Sequence, residues 1–218
     1  MLFLTFIVSS IFECMSLFIL CMALFRFQIK EFFSKFLISS VILAFVSNTL
    51  QVESLQDIAP LVNVVLLIFL ATIILRTRLL HSIIMVVISY IIFTLVQWLI
   101  YTIVIKEGLF NNIVTYTWSG FFLQGVSGCV MLLLAGTIIY RKGGFSYIQS
   151  SGRFYKESFR DNRLFLICLL LALIVVFGTN VFYLTFDKIP TYLYTVAIII
   201  IVVLVVLLYF SVRKDDRS

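Results

Sequence analysis

The chain has 218 residues, of which 63% are hydrophobic and only 12% are charged. A soluble domain is about a quarter charged, so this composition excludes one, and the length leaves no room for an additional kinase, nuclease or nucleotide-binding domain of about 100 residues or more. The net charge of +6 does not indicate nucleic acid as a partner, because the basic residues lie in short loops between apolar segments.

Seven apolar segments approach or exceed the roughly 20 residues that a helix needs to cross a bilayer. The second is about 15 residues long and reaches full length only with Phe32 and Phe33 at one end, so a six-span alternative makes it re-entrant. Continuous apolar runs such as 198–203 lack the alternation of barrel strands. The predicted fold is an all-α polytopic membrane helix bundle in one domain, residues 1–210, followed by a charged tail at 211–218. The predicted spans are 2–25, 36–50, 58–75, 82–105, 114–140, 164–186 and 191–210.

The basic residues predict the orientation of the chain. Fourteen of the sixteen Lys and Arg residues lie at one set of helix ends, and only Lys106 and Lys188 lie at the other. The positive-inside rule puts the fourteen in the cytosol, with the N-terminus outside and the C-terminus inside. The first helix is expected to remain uncleaved, because the first basic residue, Arg26, follows its apolar run rather than preceding it. The predicted location is the cytoplasmic membrane of a bacterium.

Polar side chains within the spans are concentrated in their outer halves or near the midplane, whereas the inner halves contain only hydroxyls. Polar groups in hydrocarbon are costly and mark functional or packing sites. One interpretation is a ligand pocket that opens to the outside; the other is that each amide is an interhelical hydrogen bond worth about 0.6 kcal/mol. A transporter site is often built from broken helices, but both prolines lie at span ends. The candidate ligand-binding residues are Glu13, Asn63, Gln97, Gln124 and Asn180.

Glu13 is the single formal charge deep within any predicted span. An isolated carboxylate at this depth costs about 2.5 to 3.5 kcal/mol on insertion scales, so we expect it to be protonated or partnered. No Lys or Arg lies at matching depth. The expected partners are a hydrogen bond from Gln97 or Gln124, or a cationic group on a ligand.

Small residues recur on one face of the fifth span. Gly120, Gly128 and Gly136 share a face with Gln124, because their spacings are multiples of four. Small residues let helices approach closely, so we expect this face to pack against a neighbouring helix and, as a second interpretation, to form a pocket wall.

Aromatic residues gather near the outer ends of the fourth and fifth spans. They are typical of an interfacial aromatic belt, and the second interpretation is a rim that contacts an apolar or aromatic peptide. They are Trp98, Tyr101, Tyr116 and Trp118.

The longest loop carries a basic helical face. Four basic residues recur at spacings of three and four, which predicts a short helix on the inner leaflet with its cations toward anionic headgroups; a plain solvated loop is the alternative. With the tail, this loop is the expected docking place for a cytosolic partner. Its basic residues are Arg153, Lys156, Arg160 and Arg163.

The sequence contains no phosphate-binding loop, HExxH, GxSxG or paired intramembrane Asp. We therefore expect a non-enzymatic protein. The lone His81 and the absence of CxxC spacing predict no metal and no cofactor. The four cysteines lie within spans, where they behave as small apolar side chains.

The chain resembles the sensor domain of Agr-type, peptide-responsive receptor histidine kinases of Gram-positive bacteria. The resemblance lies in about seven closely connected helices, an external N-terminus, short outer loops, and a last span that leads into Ser211, Val212, Arg213 and Lys214. In that family the last helix continues into a dimerisation helix and an ATP-binding domain. Because this sequence stops at Ser218, the resemblance does not imply kinase activity, and we expect either an isolated sensor domain or a stand-alone relative that acts through a partner.

The expected function is that of a sensor or receptor in signal transduction, including quorum sensing, which binds an extracellular ligand such as a peptide through the outer half of the bundle. The alternatives are a transporter subunit or permease-like protein, including bacteriocin-immunity types, and a scaffold. The expected partners are membrane lipid, an extracellular peptide, a cytosolic signalling partner or ATPase, and a second copy of the chain.

Overall fold

The computed structural model describes residues 2–52, 59–110, 117–146 and 192–215, with the isolated residues 167, 170, 171 and 174. The helices in these ranges confirm the predicted all-α fold, and no strand occurs among the described residues. The helices are α1 (Leu2–Leu24), α2 (Ile29–Val52), α3 (Ala59–Leu75), α4 (Leu79–Lys106), α5 (Trp118–Tyr140) and α6 (Tyr192–Asp215).

Three of the described helices are long and apolar enough to cross a membrane: Phe3–Leu24, Leu79–Lys106 and Trp118–Tyr140. The segments Ala59–Leu75 and Ile198–Arg213 are shorter apolar helices. The described chain is therefore compatible with a helical membrane bundle, whereas the count of seven spans and the orientation remain predictions.

Helix α2 extends well beyond its apolar run. It has 24 residues, about 36 Å at 1.5 Å per residue, and it includes Phe32 and Phe33 in its first two turns. The 15-residue run predicted for this span is thus part of one continuous helix that is longer than the hydrocarbon is thick.

Helices α1, α4 and α5 contact one another in all three pairs, and α4 also contacts α3 and α6. Ser9 hydrogen-bonds to Gln124, while Phe12 lies against Gly128. Because both contact positions advance together along the chain, α1 and α5 run parallel. Helix α6 ends beside the end of α5, where Asp215 accepts hydrogen bonds from Ser146.

The ends of α1, α3, α5 and α6 lie on one side of the bundle, here called the basic edge. Three of these helices are followed within two residues by a cation in the left-handed backbone region: Arg26 at φ 55°, Arg76 at φ 52° and Lys142 at φ 51°. Cations are favoured at helix C-termini by the helix dipole. The left-handed turn also lets backbone N–H groups beyond the helix donate to its last carbonyls: Phe27 N–H donates to the Met22 carbonyl, and Gly143 N–H donates to the Ile138 carbonyl. The opposite end, here called the far edge, carries Lys106 and Trp118.

The core is divided into two clusters. The larger contains the second half of α1, from Met15 to Phe25, and residues of every other described helix. The smaller contains Phe6, Ile7, Ala44 and Phe121 and lies toward the far edge. The stretch of α1 between the two clusters carries its polar residues.

Helices α1 and α5 approach closely at Gly128. A Cβ atom built there would lie 2.5 Å from Cε1 of Phe12, so even a methyl group would force the aromatic ring to move. The ring of Phe12 therefore occupies the space that the glycine leaves open.

Candidate functional site

Glu13 is hydrogen-bonded across the bundle. Nε2 of Gln97, on α4, donates to its Oε1 at 2.6 Å. Gln97 is one of the two donors expected from the sequence, and both side chains are half-buried. Within the described residues no Lys or Arg side chain forms an ion pair with Glu13.

The second expected donor, Gln124 on α5, also lies within hydrogen-bonding reach of the Glu13 carboxyl, and it bonds a further residue of α1. The Ser9 hydroxyl donates to Gln124 Oε1 at 2.6 Å and also to the Phe6 carbonyl at 3.0 Å. Ser9 precedes Glu13 by four residues, so both lie on the same face of α1, one turn apart. The four side chains Ser9, Glu13, Gln97 and Gln124 are here called the polar layer, and they join the three central helices.

Hydroxyl groups elsewhere in the helices are bonded differently. Most donate to a carbonyl three or four residues earlier in their own helix, as Ser40 does to Phe36 at 2.9 Å and Ser89 to Met85 at 2.8 Å. This local bonding satisfies the hydroxyl without a partner helix. The carboxyl and amide groups of the polar layer instead depend on neighbouring helices.

Asn63 lies apart from the polar layer. Its Nδ2 donates to the Ser47 hydroxyl on α2 at 3.4 Å, and its Oδ1 is buried without a hydrogen bond from the described residues. The structure thus brings together three of the five candidate ligand-binding residues. Asn63 instead forms a hydrogen bond between α3 and α2, through Ser47. Asn180 lies outside the described residues.

The other predicted surface residues have varied positions. Trp98 and Tyr101 are half-buried near the end of α4, and Trp118 is exposed at the start of α5, so these three lie toward the far edge. Tyr116 and the basic residues Arg153, Lys156, Arg160 and Arg163 lie outside the described residues. Their roles stay predictions.

The three predicted packing glycines also differ from one another. Gly128 is at the close contact with Phe12, whereas a Cβ at Gly136 would meet no described atom within 4 Å. Gly120 lies in the first turn of α5, where its N–H donates to the Thr117 hydroxyl and caps the helix.

A set of contacts at the basic edge, here called the clasp, was not predicted from the sequence. The Phe145 N–H donates to the Leu24 carbonyl at 2.7 Å. The Arg26 guanidinium donates to the Lys142 carbonyl at 2.9 Å and to the Gly143 carbonyl at 3.2 Å. The clasp comprises Leu24, Arg26, residues 142–146 and Asp215.

The clasp joins three helix ends. The backbone N–H and the hydroxyl of Ser146 both donate to Asp215 Oδ1, at 2.6 and 2.9 Å. The chain that follows α5 is therefore bonded both to the end of α1 and to the end of α6. Ser9 could have been recognised from its four-residue spacing to Glu13, but the sequence gives no local signal for a contact between Ser146 and Asp215.

No protein-family model, curated protein or solved structure matches this chain. The functional interpretation therefore depends on the residues and their geometry.

The Glu13–Gln97 hydrogen bond is expected to contribute measurable stability. Glu13→Ala and Gln97→Ala should show a coupling of about 0.6 kcal/mol, and at most ~1.7 kcal/mol, because each single change removes the hydrogen bond that the two side chains share. Equilibrium unfolding in detergent of the wild type, both single variants and the double variant measures this coupling.

The matched control is Glu13→Ala combined with Asn63→Ala, since Asn63 bonds Ser47 on α2 rather than the polar layer. That pair should be additive. Additivity in the Glu13/Gln97 cycle would show that the two side chains do not interact in the folded protein.

Gly144 is expected to be essential to the clasp. Its φ is +99°, and a Cβ there would lie 2.7 Å from the Leu24 carbonyl oxygen. Gly144→Ala should therefore destabilise the protein by about 1–3 kcal/mol, through backbone strain and displacement of the loop from α1. The midpoint of thermal unfolding in detergent measures this loss.

Gly143→Ala is the matched control, because a Cβ at Gly143 would be 3.6 Å from its nearest contact, the Ile138 carbonyl oxygen. The control should keep nearly the stability of the wild type. Equal effects of the two substitutions would contradict the conformational role assigned to Gly144.

Proposed function

We propose that this chain is a non-enzymatic, sensor-like or receptor-like integral membrane protein of the bacterial cytoplasmic membrane, which binds an extracellular ligand in the outer half of a seven-span bundle. The observation on which the proposal depends is the polar layer, in which Glu13 accepts a hydrogen bond from Gln97 at 2.6 Å and lies beside the Gln124 amide without a cation among the described residues. The ligand class that fits is a molecule with a cationic group, such as a peptide.

The bonding of Glu13 supports this ligand class. An ionised carboxylate within the bilayer requires a positive partner or several donors. Among the described residues the carboxyl has two amide partners, Gln97 and Gln124, and no cation. An ammonium or guanidinium group from outside would supply the missing positive charge, and Gln97 would hold the carboxylate in place.

The arrangement of the helices supports the proposed orientation. Alternating spans require the first and fifth helices to run in the same direction, as α1 and α5 do. Helix α6 ends at the same edge as α5, so residues 146 and 192 lie at opposite ends of the bundle. The predicted span 164–186 would provide the return crossing between them.

The distribution of charge supports the same orientation. Exposed cations of the described chain gather at the basic edge, while Lys106 lies at the far edge. Under the positive-inside rule the basic edge is the cytosolic one, and the polar layer then lies toward the outer half.

The clasp provides a route from the polar layer to the cytosolic side. Glu13 and Leu24 belong to the same helix, and the Leu24 carbonyl is bonded to the loop that also bonds Asp215. A ligand that binds one arrangement of α1 better than another shifts the population toward that arrangement. Any displacement of α1 along its axis would then move the end of α6.

Ligand access to the polar layer is testable by labelling. In a background lacking native cysteines, Ser9→Cys and Gln124→Cys should react with a membrane-impermeant maleimide added from outside, because the layer is half-buried rather than sealed. The buried Ser89 supplies the control, since Ser89→Cys lies in the apolar core and should stay unlabelled.

Protection of the two reactive positions by culture medium conditioned by the source bacterium would support ligand binding. Equal lack of labelling at Ser9, Gln124 and Ser89 would contradict the pocket and favour the interpretation that the amides only bond helices together. Labelling from the cytosolic side alone would contradict the orientation.

The molecules that co-purify with the chain distinguish the receptor proposal from the transporter alternative. Purification of the tagged chain in mild detergent should recover a kinase, a response regulator or a small secreted peptide. Glu13→Gln should lose the peptide and keep the cytosolic partner, because it retains the bond to Gln97 but removes the negative charge.

Recovery of an ATP-binding-cassette ATPase in equimolar amount would contradict the receptor proposal and support a transporter subunit, including one of the bacteriocin-immunity type. The mass spectrum of the co-purified material is the measurement in both cases.

A further inference from the structure

An open groove of about 410 Å³ lies at the basic edge, between the clasp and the last turns of α5 and α6. Its apolar wall consists of Leu24, Ile138, Phe145 and Leu208. Its polar rim contains Arg141 and Thr137. The groove thus combines an apolar wall with a cation at its rim.

An unpaired positive charge, that of Arg141, lies at the rim of the groove among the described residues. The exposed Arg141 guanidinium makes no hydrogen bond or ion pair with another described residue. The Arg26 guanidinium donates to the Gly143 carbonyl, so a second positive group adjoins the groove wall. The carboxylate of Asp215, across the clasp, accepts both hydrogen bonds of Ser146.

The groove lies at headgroup depth if the bundle is in a bilayer. Helix α5 ends at Tyr140, whose side chain is 89% exposed, and tyrosines with exposed rings are typical of the boundary between hydrocarbon and water. Arg141 follows directly. A lipid beside α5 would therefore have its phosphate near Arg141 and an acyl chain level with Ile138 and Leu208.

We propose that this groove binds one anionic phospholipid, with the phosphate against Arg141 and an acyl segment along the apolar wall. The positive charge of Arg141 beside an open apolar wall matches the charge and the acyl chains of an anionic phospholipid, which we take as the occupant. Basic pockets between helices at the cytoplasmic surface are general sites for anionic headgroups. The site is independent of the extracellular ligand proposed above.

Native mass spectrometry of the full chain tests the site. The protein in mild detergent is mixed with equal amounts of phosphatidylglycerol and phosphatidylcholine that carry the same acyl chains. The wild type should retain more phosphatidylglycerol. Arg141→Gln should lower the ratio of the two adducts by about fivefold, which corresponds to ~1 kcal/mol for one basic residue near the membrane surface.

Three further variants make the outcome specific. Lys30→Gln removes an exposed charge at the same edge but outside the groove, and it should leave the ratio unchanged. Arg141→Lys should keep most of the preference, because the positive charge remains. Thr137→Trp fills the groove from an exposed helical position and should lower the amounts of both lipid adducts.

Equal losses in Arg141→Gln and Lys30→Gln would overturn the proposal, because they would reflect net charge alone. An absence of preference in the wild type would also overturn it. Displacement of the lipid by inorganic phosphate at equal concentration would overturn the acyl-chain part, since it would show a site for phosphate only. None of these outcomes depends on whether an external ligand binds Glu13.

Discussion

Helix α1 lies in contact with both α4 and α5, and its side chains Ser9 and Glu13 form hydrogen bonds with those two helices. In hydrocarbon, water does not compensate an unbonded carboxyl or hydroxyl group. Gln97 bonds Glu13 from one side and Gln124 bonds Ser9 from the other, at equal distances of 2.6 Å. A rotation of α1 by one residue position would turn both groups away from their partners. The two bonds therefore fix the rotation of the central helix, on which the positions of the other helices depend.

The polar layer also divides the packing of the bundle. Between the layer and the basic edge, large apolar side chains fill the bundle, including those from Met15 to Phe25. Between the layer and the far edge, the apolar cluster is small. Close-packed apolar regions resist gradual deformation, whereas a hydrogen-bonded amide can exchange one partner for another. The layer is accordingly the part of the contact between α1, α4 and α5 that can be rearranged at the lowest cost.

Much of the helical architecture follows from local properties of the sequence. Hydrophobic run length located α1, α3 and α4 to within a few residues, because burial in hydrocarbon and backbone bonding both favour a continuous helix there. It underestimated α2, since the residues from Ile29 to Lys35 are polar enough to leave the membrane while still forming a helix. Depth along the spans predicted Gln97 and Gln124 as the donors available to Glu13, and both lie beside it. The additional contact of Gln124 with Ser9 depends on the rotation of the packed helices, which run length does not encode. The clasp was beyond sequence reasoning because Ser146 and Asp215 are far apart in the chain and meet only after α1, α5 and α6 have packed.

The bonding of Asp215 has a practical consequence for the design of reporters. A fluorescent protein fused shortly after α6 would pull on the Ser146 contact, and through it on the loop that holds the Leu24 carbonyl. The same reporter fused before α1 would lie at the far edge, away from this joint. A C-terminal fusion therefore places load on the contact that joins the ends of α5 and α6, and an N-terminal fusion leaves that contact undisturbed.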